Sequence, residues 1–285
     1  MRIIDTHQHF WLQDAVTYPW LVPEFGPLYA DFGPPDLEPQ LEELGVDGTI
    51  IVQSSDTYID THRMLAQADE NEWVLGVVGW VPLRDPTEAA RKLDQEWLPH
   101  KAFCGIRHLI HEEADPDWIL RPDVIGGLSV LAERGVPFDV VAVFPGHLRH
   151  VPAISEKVPN LRMVVDHLAK PPIGSGDLSV WEGELRAAAE SPNVFAKVSG
   201  LNTAVGREVW DFSDLAPSIE IAVDAFGPER LMFGSDWPVA ILAGTYRSVL
   251  HETVAALDAI GLDPADQQAI FADTASRFYG RGSGR

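Results

Sequence analysis

Three consecutive segments decide the fold: GTIIVQ (48–53), THRMLAQADENE (61–72) and VLGVVGWV (74–81). The outer two are short, almost continuously apolar and rich in β-branched residues, as strands buried on both faces are. The middle one is polar and helix-like. Strand, helix and strand in succession make a parallel crossover unit. Outward from it the same alternation recurs. Apolar runs stand at Ile3-Ile4, FCGIRHLI (103–110), PFDVVAV (137–143), RMVVDHL (162–168), VFAKVSG (194–200) and RLMFGSD (230–236). Helix-like stretches include DLEPQLEEL (36–44), TEAARKLDQEWL (87–98) and VLHETVAALDAI (249–260). Eight such runs predict an α/β protein, a single (β/α)8 TIM barrel over residues 1–280. A doubly wound sheet alternates in the same way and stays open at this point. The tail RGSGR (281–285) is expected to fray.

The 285 residues include 46% hydrophobic and 22% charged residues, which excludes a disordered chain. No stretch approaches the ~18 consecutive apolar residues of a membrane span. The first residues, MRIIDTHQHFW, lack the apolar run of a signal peptide. With one cysteine, Cys104, no intrachain disulfide can form, and a cytoplasmic location is expected. Against 21 Lys and Arg stand 43 Asp and Glu, a net charge of −22. Such a surface repels phosphate backbones and anionic membranes, so a small molecule is the expected partner. Monomer and homodimer both remain open.

In a barrel of this kind, chemistry sits where strands end. The first run ends in Asp5-Thr6-His7-Gln8-His9, and strict alternation would put Asp5, His7 and His9 on one face. Two imidazoles two residues apart can reach one metal ion or one substrate oxygen; a pair of hydrogen-bonded core histidines is the bland alternative. The sixth run ends in Asp166-His167 and the eighth in Ser235-Asp236-Trp237. Strands 1 and 8 are neighbours in a closed barrel, so Asp236 can approach His7 and His9. A buried carboxylate needs a partner, although capping the next helix would be a simpler use. Arg107 or His108 faces inward at the fourth strand end, and Arg107 is favoured as a substrate fork. His111 could line the mouth, and His147 is a weaker candidate. Lys197 either binds substrate or pairs with an acid such as Asp139. His62, His100, His150 and His251 read as surface residues. The segment TYPWLVPEFGPLYADFGPPDL (17–37), with Trp11 and Trp237, suggests an aromatic lid over the mouth whose rings could stack on a sugar.

Seven motifs together resemble the amidohydrolase superfamily, in its branch of barrel hydrolases that includes sugar lactonases. They are IIDTHQHFW (3–11), YPWL (18–21), GVVGWVPL (76–83), GIRH (105–108), VVDHLAKPPI (164–173), AKVSGL (196–201) and MFGSDWPV (232–239). The resemblance implies a lactonase opening rings of sugar acids such as L-fuconate, L-rhamnonate or D-galactonate. It carries His7, His9, His167 and Asp236 over as catalytic residues and ligands of one divalent ion, zinc first. Arg107 would help bind substrate. The strand ends lack the bridging residue of a two-metal centre, and metal-independent hydrolysis is the close alternative. Asp236 is then the expected general base. A metal-dependent decarboxylase of an aromatic acid, or a non-catalytic sugar-acid binder, are the competing readings.

Overall fold

The computed structural model describes residues 1–207 and 209–280; the tail expected to fray lies outside them. Eight parallel strands run in chain order around one sheet: β1 Ile4–Gln8, β2 Gly48–Val52, β3 Val74–Gly79, β4 Phe103–His108, β5 Phe138–Val140, β6 Met163–Val165, β7 Val194–Val198 and β8 Leu231–Phe233. Helices alternate with them. Order 1 to 8 without a reversal is that of a (β/α)8 barrel and excludes the doubly wound sheet, whose order reverses. The seam closes at the site end: Asp236 N–H donates to His7 O and His9 N–H to Trp237 O, both at 2.8 Å.

Each strand buries two faces. Ile51, Val77, Phe138, Val165 and Phe233 pack outward against helical residues such as Leu37 and Leu128. Ile50, Val52, Val78, Val164 and Met232 form a separate cluster. Because strands that are not neighbours supply it, that cluster fills the barrel interior. Phe278 and Tyr279, at the end of the helix Thr274–Tyr279, join it and plug the floor. The Tyr279 hydroxyl donates toward both Asp139 oxygens, at 2.9 and 2.8 Å. No helix among the described residues is long and apolar enough to cross a membrane.

Two expectations need correction. Asp5 does not share the His7 face. Between the pairs Asp5↔Thr49 and Gln8↔Ile51, β1 advances three residues while β2 advances two. One extra residue switches the side-chain phase. Asp5 therefore accepts from Ser235 Oγ and from Tyr246 Oη on the helix Tyr246–Ala259, outside the barrel. His150 is not a surface residue. It is buried, with Nε2 3.1 Å from Pro116 O and 3.2 Å from the Asp117 carboxylate.

Candidate active site at the carboxyl ends of the strands

The β1–β8 seam sets the position of three of the predicted residues. Because Asp236 N and His9 N are both committed to partner-strand carbonyls, the backbones of His7, His9 and Asp236 are locked to one another. β6 supplies the fourth. After Val165 the chain enters a turn in which His167, Leu168, Ala169 and Lys170 all have φ between 49° and 61°. Left-handed backbone is uncommon for residues with a Cβ, and four in a row mark a conformation held by its surroundings. Asp236 itself has φ 58°. This turn swings His167 over the barrel mouth.

The four side chains converge. Asp236 Oδ1 lies 3.9 Å from His7 Nε2, 3.6 Å from His9 Nε2 and 3.7 Å from His167 Nε2. His7 and His9 face each other through their Nε2 atoms at 3.1 Å. The opposite ring nitrogens are held from behind. His9 Nδ1 lies 2.8 Å from Val52 O, which only an N–H can satisfy, so His9 Nε2 is a bare acceptor in the neutral ring. His167 Nδ1 meets Ser199 Oγ at 2.8 Å. His7 Nδ1 lies between Asp166 Oδ1 at 3.2 Å and Lys197 Nζ at 3.1 Å.

Those two neighbours permit two tautomers of His7. If Nδ1 accepts from Lys197, His7 Nε2 carries the proton and donates to His9. If Nδ1 donates to Asp166, both Nε2 lone pairs point at one spot, which a cation can occupy. Asp166 Oδ1 is ion-paired with Lys197 Nζ at 3.2 Å, and the second tautomer adds a hydrogen bond from His7 to it. A carboxylate behind a metal-ligating imidazole is the usual outer support of such ligands.

Electrostatics agree. Burial drives the His7 imidazole well below its ordinary range, with Lys197 and His167 adding to the effect and Asp166 opposing it. Burial likewise pushes His167 down to about 3. Burial would raise the Asp236 carboxyl, but the electrostatics of His167, Lys170 and His7 outweigh it and hold the group well below the usual carboxylate range. Asp166 is held down in the same way by Lys197, His7 and Arg107. Neutral imidazoles beside ionised carboxylates are the protonation state that a divalent ion requires. Ligand atoms of a tetrahedral ion with bonds of 2.0–2.1 Å stand roughly 3.3 Å apart, close to the spacings here. The donor set therefore fits a divalent metal. Two overlapping triads could hold one: His7, His9 and Asp236, and His7, Asp166 and His167.

A cavity of about 380 Å³ opens above the cluster. Arg107, His111, Glu112, Lys170 and Ser54 are its polar wall beyond the cluster, while Trp11, Trp20, Phe25 and Leu28 come from the segment after β1. Arg107 is the inward residue of its pair, its Nε donating to Asp166 Oδ2 at 2.8 Å. His108 stacks on Trp118 at 4.1 Å and bonds Glu113, away from the cavity. Two predicted substrate contacts lie elsewhere. Trp237 packs edge-on against Phe10 and Phe32. Lys197 is wholly buried in the barrel, 2.5 Å from Asp139 and 3.2 Å from Asp166. His147 is half-buried in the turn after β5, and it is not among the described residues that line the cavity.

Sequence reasoning passed over Asp166 and Lys170. It also missed two glycines that make room for the cluster. A Cβ on Gly234 would lie 2.7 Å from His7 Cβ, and one on Gly200 would meet Asp236 Oδ2, His167 Nδ1 and Lys170 Nζ at 2.6–2.8 Å.

A barrel with a buried His/His/His/Asp cluster at its carboxyl face has the donor set of a divalent-metal enzyme. The chain belongs to the amidohydrolase family, whose model matches residues 4–281. It is 38% identical over 279 residues to an L-fucono-1,5-lactonase of Burkholderia ambifaria, covering 97% of this chain and 94% of that protein. A crystal structure of an amidohydrolase from Burkholderia multivorans with bound zinc superposes with a TM-score of 0.90 at 32% identity, covering 99% of this chain and 100% of that one. A 5-carboxyvanillate decarboxylase from Sphingomonas paucimobilis shares the fold, with a TM-score of 0.66 at 12% identity.

Proposed function

We propose that the protein hydrolyses the lactone of a sugar acid, of the L-fucono-1,5-lactone type, with one zinc ion held by His7, His9, His167 and Asp236. The observation that carries this is the convergence of three imidazole Nε2 atoms on Asp236 Oδ1 within 3.9 Å. Bound there, zinc would supply Lewis-acid polarisation of the lactone carbonyl. The rest is work for the chain's own groups. Asp236 is ionised and takes the proton of the attacking water. When the acyl C–O bond of the ring breaks, it returns that proton to the departing oxygen. Arg107 is fixed by Asp166 and by Gln53 O, and presents its remaining N–H groups to the substrate's hydroxyls. The rings of Trp11, Trp20 and Phe25 offer apolar faces to the C–H side of the sugar. The segment 17–37 acts as a lid that keeps bulk water out, tied down by Trp20 Nε1 donating to Ser54 O at 2.7 Å.

The test is acid release from a panel of sugar 1,4- and 1,5-lactones, run beside CO₂ release from hydroxylated aromatic acids. Lactone turnover without decarboxylation is expected. Decarboxylation alone would replace this function with that of an aromatic-acid decarboxylase, and saturable binding without turnover of either panel would make the protein a binder.

A further inference from the structure

Lys170 has no role in the chemistry above, yet its ammonium stands in the cavity. It is the last residue of the left-handed turn, with φ 54°, and its side chain is 27% exposed. Three acceptors surround Nζ: Thr203 Oγ1 at 3.0 Å, Gly200 O at 3.1 Å and Asp236 Oδ2 at 3.4 Å. An ammonium has three N–H donors. Two are spent on anchors, and the third, toward Asp236, is the longest and weakest. It is the one a substrate oxygen can take over.

The two oxygens of Asp236 face different partners. All three imidazole contacts are to Oδ1, whereas Lys170 is on Oδ2. Lactone hydrolysis has two oxygens that gain negative charge in turn: the carbonyl oxygen during attack, then the ring oxygen during collapse. The imidazole side of Asp236 serves the first. We propose that Lys170 is a catalytic residue for the second, stabilising the ring oxygen as it leaves by a charge-assisted hydrogen bond. This rests on the lactonase reading and adds a group to it. Lys170 keeps its proton throughout. The acyl C–O bond breaks, its electron pair goes to the ring oxygen, and Asp236 returns there the proton taken from water.

A donor to the leaving oxygen matters in proportion to how poor that leaving group is. A sugar alkoxide is a far worse one than a phenoxide, whose phenol has a pKa near 10. The test compares L-fucono-1,5-lactone with dihydrocoumarin, a lactone whose leaving group is a phenol, for wild type and Lys170→Met. The expected result is a loss in kcat of about 100-fold or more on the sugar lactone and only a few-fold on dihydrocoumarin, with zinc content and Tm unchanged. Thr203→Val removes one anchor of the ammonium and should show the same asymmetry on a smaller scale. Equal losses on both lactones, or no loss on either, would overturn the role of Lys170. Failure of the wild type itself to open the sugar lactone would instead overturn the function on which it rests.

Discussion

Gly234→Ala adds one methyl group, and the structure places it against the site. The new Cβ would lie 2.7 Å from His7 Cβ, 3.1 Å from His7 N and 3.1 Å from Ser199 Cβ. Unstrained carbon–carbon contacts stand at about 3.5–4.0 Å, so the two chains must separate by roughly 0.8–1.3 Å. They cannot do so freely, because His7 O accepts from Asp236 N and His7 N donates to Asp5 Oδ1. The displacement passes to the His7 ring, whose Nε2 sits 3.1 Å from His9 Nε2. Misplacing a catalytic group by ~1 Å costs about 100-fold in rate, and overpacking costs ~1–3 kcal/mol in stability. The assay is lactone kcat, zinc per chain and urea unfolding on the same preparation. Gly183→Ala is the control: it lies in the helix Ser179–Ala189 with nothing within 4 Å of the added Cβ. That variant should match wild type in turnover and gain up to about 1 kcal/mol in stability. Gly234→Ala retaining kcat and zinc within about threefold of wild type would refute the claim that His7 geometry limits this site.

Three further outcomes follow from the same contacts. Asp236→Asn should lower kcat by about 100-fold or more with an unchanged circular dichroism spectrum; near-normal turnover would remove Asp236 as the base. Lys197→Met leaves the fully buried Asp139 and Asp166 without their ammonium, and should cost ~3–5 kcal/mol in chemical denaturation. A loss below ~1 kcal/mol would mean that Arg107 and Tyr279 alone suffice to hold these carboxylates in the barrel interior. His167, pushed down to about 3 from an ordinary 6.5, binds its proton more weakly folded than unfolded. Its contribution to stability is therefore complete above pH 6.5 and is lost as pH falls from there toward 3. On chelated protein the slope should reach about 1.4 kcal/mol per pH unit, and His167→Gln should lack that part of it.

The barrel was legible because its strands are buried on both faces, so each reads as an unbroken apolar run. Seven of the eight observed strands fall within one run each, and β1 starts in the Ile3-Ile4 run and continues past it to Gln8. The four cluster residues were legible because they sit at strand ends in distinctive company. Asp5 was misread because a one-residue bulge leaves no composition signal, yet reverses every side chain beyond it. Lys170 was invisible for a related reason: nothing in DHLAK announces four left-handed residues, and the turn is imposed by packing rather than by glycine or asparagine. Tyr279 reaches Asp139 across 140 positions of sequence, a contact that no local pattern encodes. Gly200 and Gly234 look like ordinary loop glycines until the side chains they admit are in place.

The most direct test of the central claim is a zinc titration of chelated protein, followed by acid release from L-fucono-1,5-lactone. The expected result is negligible turnover after chelation and full recovery at one zinc per chain, with no recovery in a His7→Ala/His9→Ala variant that remains folded. Full turnover by protein shown to be free of metal would contradict the account, and would leave stabilisation of the oxyanion to the site's own hydrogen-bond donors.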